Sequence, residues 1–219
     1  MKRVGERGRF TSWLFAAAGT SAVLALIAGC GGGGGGEVSA LSEQQIELAV
    51  PDAKAVPGWE TVSPRASGSM KEQTLRGSLC PKKGQEACKG ARFMGTARFK
   101  GAEKMQVGFW AIAYQDEKSA ESAYDLHWDW YQKGLGETKS VGLGSLGAQR
   151  DAKQGVSGYQ GDRRAIAQVR VGTVVLWASL DASRETGIDA GLVKDLTSVF
   201  AVRAQEAQDG KTPAAKLGA

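Results

Sequence analysis

Apolar and polar residues alternate along two stretches near the middle of the chain with the two-residue period of a β-strand. The first, "RFMGTARFK" at 92–100, places its apolar residues on one face, and the second, "MQVGFWAIAY" at 105–114, has them on both faces. Alternation is typical of a half-buried strand, whereas an almost continuous apolar run predicts a strand covered on both sides. Because only a short segment around Gly101 separates the runs, we predict two neighbouring antiparallel strands.

A second pair of alternating runs, 164–171 and 173–180, forms the clearest hairpin pattern in the sequence. Gly172 and Thr173 lie at the junction, and a glycine in the first turn position is typical of a type II′ hairpin. The first run is predicted to direct four apolar side chains into the core: Ala165, Ala167, Val169 and Val171.

Three segments repeat apolar residues with the 3.6-residue period of an α-helix. A short one begins at Ser42 in "LSEQQIELAV", a long one spans 117–134 and ends at Gly134, and the last covers about 188–205. The last segment sets six residues on one broad face: Ile188, Leu192, Leu196, Val199, Phe200 and Arg203. Helices therefore precede, separate and follow the strand pairs, which predicts a single α+β domain with helices packed on an antiparallel sheet.

The first thirty residues have a different pattern. A basic head with Lys2, Arg3, Arg7 and Arg9 precedes an uncharged, mainly apolar run at 10–27. These features are typical of the n-region and h-region of a secretory signal peptide. The run of roughly 18 residues also approaches the roughly 20 that cross a membrane as a helix.

Cys30 favours the signal peptide. Ile27-Ala28-Gly29-Cys30 resembles the lipobox of bacterial lipoproteins, where the cysteine becomes the new N-terminus. The resemblance implies that 1–29 is removed and that the Cys30 sulfur receives diacylglycerol, which holds the protein in the cell membrane on its extracytoplasmic side. Two or three acyl chains such as palmitate anchor stably, because each buried CH₂ contributes about 0.8 kcal/mol. The alternative is an uncleaved helical anchor with an unrelated cysteine.

Six glycines follow Cys30 and are interpreted as a tether. Segment 30–40 would then consist of the lipidated cysteine and a flexible coil, which spans roughly 17 Å for about ten residues. Residues 41–205 form the predicted extracytoplasmic domain, long enough for one sizeable core. The small, polar segment 206–219, which contains Pro213, is expected to be a disordered tail.

The positive charge of the chain lies mostly in the signal segment. Of 28 basic and 23 acidic residues, four basic and one acidic belong to that segment, so the remainder carries 24 against 22. No basic stripe interleaved with aromatic residues remains, and we therefore predict no nucleic-acid partner.

Two further cysteines, Cys80 and Cys88 in "CPKKGQEAC", lie in the predicted extracytoplasmic part. An oxidising compartment favours a disulfide, which would contribute about 2.5 kcal/mol in the chain-entropy treatment of a nine-residue loop. A free or redox-active pair, or a metal site, remains open. Seven intervening residues and no nearby histidine give little support to either, and we predict no metal and no cofactor.

The motif "GLGSLG" at 142–147 spells the glycine pattern of dinucleotide-binding loops. Its surroundings do not fit, because the segment that follows, "AQRDAKQG", has no helical apolar period. We interpret the motif as a turn in a glycine-rich region between the long helix and the hairpin.

His127 is the single histidine of the chain and lies within the long helix. A packed ring is the favoured interpretation, since aromatic residues surround it in sequence. Use of His127 as the general base of an envelope hydrolase remains as an alternative, although no G-x-S-x-G motif accompanies it.

The same helix carries Tyr124, Trp128, Trp130 and Tyr131. At about 100° per residue, Trp128 and Trp130 lie about 200° apart, so one is expected to face the sheet and the other solvent or a groove. We take Tyr124, Trp128 and Trp130 as the candidate ligand or partner surface.

The order of four segments resembles the extracellular sensor-type domains of actinobacterial lipoproteins and of the PknH serine/threonine kinase family. These segments are "PDAKAVPGW", "FWAIAYQDEKSAESAYDLHWDWYQ", the hairpin "RAIAQVRVGTVVLWASL" and the closing helix. The resemblance implies a binding module without catalytic residues. It departs from the kinase-type domain, which has two disulfides where this chain offers only Cys80 and Cys88.

We therefore expect a non-catalytic lipoprotein that binds a small or lipid-like ligand or a protein partner in the cell envelope. An envelope hydrolase and a structural accessory protein without a ligand are the alternatives.

Overall fold

The computed structural model describes residues 39–80, 85–158 and 161–218. The predicted signal peptide, Cys30 and the glycine tether lie outside these residues and stay predictions from the sequence. Within the described residues, no helix combines the length and the apolar character that crossing a bilayer requires.

The described chain contains these helices and strands in order: α1 (Glu43–Ala49), β1 (Glu60–Ser69), α2 (Gln73–Leu79), β2 (Ala91–Lys100), β3 (Gln106–Tyr114), α3 (Glu117–Tyr131), β4 (Leu135–Ser140), β5 (Gln149–Ser157), β6 (Asp162–Val171), β7 (Val174–Ala182) and α4 (Ala190–Gln208). Short 3₁₀ turns lie at Gln85–Cys88, Ala102–Lys104 and Gln132–Gly134.

The seven strands form one sheet in the order β1-β2-β3-β7-β6-β5-β4, and every neighbouring pair is antiparallel. It consists of two meanders, β1 to β3 and β4 to β7, which join where β3 pairs with β7. With helices packed on it, the domain has the predicted α+β class.

Helices α1 and α4 pack on one face of the sheet and enclose the larger core. Phe109 lies at its centre, with edge-to-face contacts to Phe99 at 6.1 Å and to Phe200 at 5.3 Å between ring centroids. All four predicted core residues of the hairpin, from Ala165 to Val171, belong to this core.

Helix α3 packs on the opposite face and forms a second, smaller core. Its buried side chains Ala120, Ala123 and Tyr124 contact sheet residues such as Ile112 and Val175. Strand β3 therefore has helices on both sides, which agrees with its apolar pattern on both faces.

The predicted local signals are confirmed at two places, the start of α1 and the turn between β6 and β7. Ser42 caps α1 through the backbone N–H of Gln45, whose side chain in turn accepts from the N–H of Ser42. Gly172 has a φ of +51°, while Thr173 has no positive φ; this fits the type II′ turn expected between β6 and β7.

Strands β1, β4 and β5 were not predicted from the sequence, and the glycine-rich region was wrongly taken to be turn alone. β4 is exposed along almost its whole length, and β5 reads "QRDAKQGVS" with few apolar positions. Strands β1 and β4 form the two edges of the sheet. Such strands are held by backbone pairing with a neighbour, so their side chains need not show the alternation of a buried strand.

Cys80 and Cys88 form a disulfide, with their Cα atoms 5.9 Å apart. The bond joins the end of α2 to the 3₁₀ turn Gln85–Cys88, and the predicted pairing is confirmed in preference to a free pair or a metal site.

The C-terminal segment differs from the expected disordered tail. Helix α4 extends to Gln208, and the N–H of Leu217 donates to the carbonyl of Ala55 at 2.8 Å. The buried guanidinium of Arg203 also donates to the carbonyls of Pro213 and Ala215. A polar composition does not exclude an ordered segment when a neighbouring element supplies hydrogen-bond donors.

Candidate functional site

The sheet face that carries α3 is only partly covered, and its uncovered part forms a cleft. Helix α3 packs over Ile112 and Val175, whereas Ser179 and Asp181, further along β7, line the open part. The cleft has a volume of about 380 Å³, within the range of small-molecule sites. Ten residues line it: Ser78, Leu79, Arg98, Trp110, Tyr131, Arg164, Ile166, Trp177, Ser179 and Asp181.

Small residues on the two central strands leave room for the cleft floor. Gly108 on β3 is in register with Arg98 on β2 and with Ser179 on β7. A methyl group placed on Gly108 would overlap Cη2 of Trp110. The indole of Trp110 therefore folds back over Gly108 and provides an aromatic surface on the floor, which a larger residue at this position would displace.

The side of the cleft nearest α3 is apolar and aromatic. Tyr131, at the end of α3, and Leu79, at the end of α2, form this wall, and the hydroxyl of Tyr131 donates to the carbonyl of Leu79 at 3.5 Å. Because Leu79 directly precedes the disulfide at Cys80, the covalent bond holds this wall to the 3₁₀ turn on which α3 packs.

A buried hydrogen-bond chain holds Trp177 under the cleft. Its Nε1–H donates to Oε1 of the fully buried Gln168 at 2.5 Å, and Nε2 of Gln168 donates to the carbonyl of Tyr124 at 2.7 Å. Both polar ends of the Gln168 amide thus have partners, as a buried amide requires. Trp177 is consequently a rigid part of the floor.

Two arginines in the cleft have different electrostatic surroundings. Nε of Arg164 lies 2.5 Å from Oδ1 of Asp181, so these two charges offset each other. Arg98 is exposed, and among residues 39–80, 85–158 and 161–218 no carboxylate forms an ion pair with it. Two guanidinium groups and one carboxylate leave the lining with one net positive charge.

His127 lies beneath the surface and not in the cleft. Its ring has no exposed area, its Nε2 is 3.0 Å from the hydroxyl of Tyr114 and 3.1 Å from the carbonyl of Ala87, and it stacks on Tyr131. Burial lowers the pKa of His127 to about 4, against the opposing effect of the Ala87 carbonyl. The ring is therefore neutral and out of reach of a substrate, which fits the packed interpretation and disfavours a general base.

The predicted surface of Tyr124, Trp128 and Trp130 is not assembled as one surface. Trp128 is 9% exposed and Trp130 46% exposed, so the two indoles face opposite sides as the helical spacing predicts. Tyr124 is buried, and its hydroxyl donates to Asp151 at 3.0 Å and to the carbonyl of Gln168 at 3.1 Å. Burial raises the pKa of Tyr124. Of the three, only Trp130 offers a large exposed surface, and none lines the cleft.

The sequence analysis did not identify the cleft residues, although one signal for them was present. Gly108 interrupts the buried run "MQVGFWAIAY", and a glycine inside a strand often marks a close approach of another group. That group is the indole of Trp110, two residues away. Arg164 and Ser179 lie on the two strands of the predicted hairpin, but Arg98 lies on β2, far from them in sequence, so no local pattern links it to the hairpin residues.

The motif "GLGSLG" lies in the loop between β4 and β5. A strand and not a helix follows it, so the strand-loop-helix arrangement of a dinucleotide-binding loop is not formed here. In the part of the chain that the structure describes, no three histidine, cysteine or acidic side chains are grouped so that they could hold a metal ion.

Comparisons with protein-family models and with curated proteins gave no match. Among solved structures, the extracellular domain of PknH from Mycobacterium tuberculosis matches with 11% sequence identity and a TM-score of 0.49, covering 80% of this chain and 100% of that chain. It comes from the kinase family whose resemblance was noted in the sequence.

Proposed function

We propose that this protein is a non-catalytic binding module of the cell envelope, anchored through lipid on Cys30, and that the sheet cleft is its binding site for a small amphipathic molecule. The observation that supports this most is the composition of the cleft. Aromatic and aliphatic side chains line the part nearest α3, and a few polar groups, Arg98, Arg164, Ser179 and Asp181, line the part further from it. This combination is typical of small-molecule sites.

The chemistry of the lining favours binding over catalysis. Nucleophilic and acid-base mechanisms require a side chain that can give or take a proton near the substrate. The one carboxylate of the lining, Asp181, is paired with Arg164, and the lining includes neither histidine nor cysteine. Since His127 is buried, a hydrolase receives no support from the described residues.

The position in the envelope is proposed from the sequence of the first thirty residues. The basic head, the apolar run and Cys30 occur in the order of a lipoprotein signal. The disulfide between Cys80 and Cys88 is compatible with an oxidising compartment outside the membrane.

A photo-crosslinking experiment in cells tests the binding site. With a photoreactive amino acid in place of Ser179, on the cleft floor, we expect covalent capture of a small molecule, seen as an increase of a few hundred daltons in the mass of the intact protein. The matched control carries the same amino acid at Val62, an exposed position on β1 outside the cleft. Equal labelling at both positions would contradict the proposal, and a crosslinked band of protein size would indicate a protein partner instead.

The anchor is tested separately with Cys30→Ser. We expect loss of acyl labelling and a shift of the protein from the membrane fraction to unprocessed precursor or to the soluble fraction, because a serine oxygen does not replace the sulfur in the lipidation step. Val62→Ser is the matched control, since it introduces a serine at an exposed position without touching the lipobox or the disulfide. An unchanged membrane fraction and acyl label in Cys30→Ser would show that the attachment has another origin.

A further inference from the structure

We propose that the ligand of the cleft is an anionic amphiphile, in which a carboxylate or phosphate binds Arg98 and an apolar body lies against Trp110 and Tyr131. This inference rests on the proposed function and adds the charge and chemical class of the ligand. The observation that supports this inference is that Arg98, which has no carboxylate partner among the described residues, lies beside the aromatic part of the cleft.

The charge balance of the lining distinguishes Arg98 from Arg164. Asp181 already holds Arg164 through a 2.5 Å contact, so a ligand anion at Arg164 would have to compete with an internal carboxylate. No such carboxylate is paired with Arg98 in the described ranges. A guanidinium presents several N–H donors in a planar fork, and carboxylates and phosphates accept from two of them at once.

The register of the sheet places the anion site beside the aromatic floor. Arg98 lies opposite Gly108, and the indole of Trp110 covers Gly108. An anion bound to Arg98 therefore has an aromatic surface directly next to it. A ligand without an apolar portion would leave this surface in contact with water and gain nothing from its burial.

The far side of the cleft limits the ligand to one anionic end. Arg98 on β2 and Arg164 on β6 are separated by β3 and β7, which corresponds to roughly 14 Å between the strands at about 4.8 Å per strand. There Asp181 carries a negative charge close to the hydroxyl-bearing Ser179. A second ligand anion would have to compete with Asp181 for Arg164, whereas an apolar group or a neutral hydroxyl would leave this ion pair intact.

The test measures binding of matched aromatic probes to the full chain in nanodiscs of zwitterionic phosphatidylcholine. Naphthalene-2-carboxylate and naphthalene-2-carboxamide have the same shape and differ in charge, and 1-naphthyl phosphate represents the phosphate class. Isothermal titration calorimetry measures the binding of each probe, with empty nanodiscs as the blank. We expect the carboxylate or the phosphate to bind at least about tenfold more tightly than the carboxamide, as a charged hydrogen-bond pair permits.

Two arginine variants assign the preference to one side chain. Arg98→Gln keeps polarity but removes the charge, and is expected to abolish the preference for anions while leaving binding of the carboxamide within about twofold. Arg163→Gln is the matched control, because Arg163 is an exposed residue outside this cleft, two residues before the core residue Ala165. It should leave the preference unchanged, and circular dichroism checks that both variants are folded.

The outcomes separate this inference from the proposed function. Equal binding of carboxylate and carboxamide, or an anion preference that survives Arg98→Gln, would overturn the anionic class while crosslinking at Ser179 could still support a binding module. Failure of all three probes to bind would also overturn it, since a cleft of this composition must accept an aromatic anion. A preference for the carboxylate over the phosphate, or the reverse, identifies which kind of anion the site accepts better.

Discussion

Replacing Arg203 by methionine is expected to lower the free energy of unfolding by about 4 kcal/mol, the scale on which buried charged networks are lost. The Arg203 side chain on α4 is only 4% exposed. It donates to the carbonyls of Leu48 and Ala49, at the end of α1, and to those of Pro213 and Ala215 in the C-terminal segment. One guanidinium thus connects three parts of the chain.

The size of this decrease in stability follows from the hydrogen bonds that the four carbonyls lose. The last carbonyls of a helix have no partner within the helix and carry the negative end of its dipole. Helix α1 has no basic residue in its own last turn, so Arg203 supplies the cation from α4. Methionine fills similar space but leaves all four carbonyls without this donor, and burial makes unpaired carbonyls costly.

Urea denaturation followed by tryptophan fluorescence measures the change in free energy. Lys194→Met is the matched control, because it removes a cation from an exposed position of the same helix; it is expected to change stability by less than about 0.5 kcal/mol. Limited proteolysis should also cleave the segment after Gln208 faster in Arg203→Met than in the control. A loss below 1 kcal/mol would mean that water replaces the guanidinium at these carbonyls.

The free energy of unfolding is expected to decrease by about 3 kcal/mol when the pH is lowered from 7 to 4, because His127 titrates differently in the folded and unfolded states. The carboxylates add their own effects to this decrease. The pKa of this ring is lowered from 6.5 to about 4 in the folded protein, and each unit of difference corresponds to about 1.4 kcal/mol. Between these two values the unfolded chain binds a proton that the folded protein does not bind. The unfolded state therefore gains stability as pH falls, with a slope of at most about 1.4 kcal/mol per pH unit.

The cause is the surroundings of the ring. His127 contacts Tyr131 and Trp177 by stacking and edge-to-face packing, and its Nδ1 has no partner within the described residues. A proton added there would place a charge in an apolar site without an acceptor. Above about pH 7 both states are neutral at this position, so the contribution no longer depends on pH.

The comparison with His127→Gln isolates this effect, because the chain contains no other histidine. Glutamine can still hydrogen-bond to Tyr114 or to the Ala87 carbonyl but does not titrate. We expect the difference in unfolding free energy between wild type and variant to decrease by about 3 kcal/mol from pH 7 to pH 4, while the carboxylates contribute equally to both. A difference that stays constant over this range would show that His127 keeps an ordinary pKa when folded.

Several elements could be predicted because their signals are local. β2, β3 and the β6–β7 hairpin follow from alternation, and α1, α3 and α4 from a helical apolar period. A core that covers one face of an element requires apolar residues at fixed short spacings, and that spacing is visible in the sequence. The disulfide was predictable for a similar reason, since Cys80 and Cys88 are close in sequence and no histidine lies near them.

The candidate site could not be predicted in the same way. Tyr124 and Trp130 were selected for their aromatic character, yet the first is buried and the second, although exposed, is not among the residues that line the cleft. The cleft residues come from β2, β3, β6, β7 and the ends of α2 and α3. Their proximity depends on strand order, and the pairing of β3 with β7 joins segments about seventy residues apart.

By itself, the sequence determined the α+β class, the central strands, the main helices and the pairing of two cysteines. Each of these follows from residues within one element or one short loop, where covalent spacing limits the possible geometry. Only the tertiary structure decided the edge strands, the ordered C-terminal segment and the cleft with Arg98 beside Trp110. These features depend on which distant segments supply backbone partners, hydrogen-bond donors or counterions, and such partners are selected by the free energy of the whole fold.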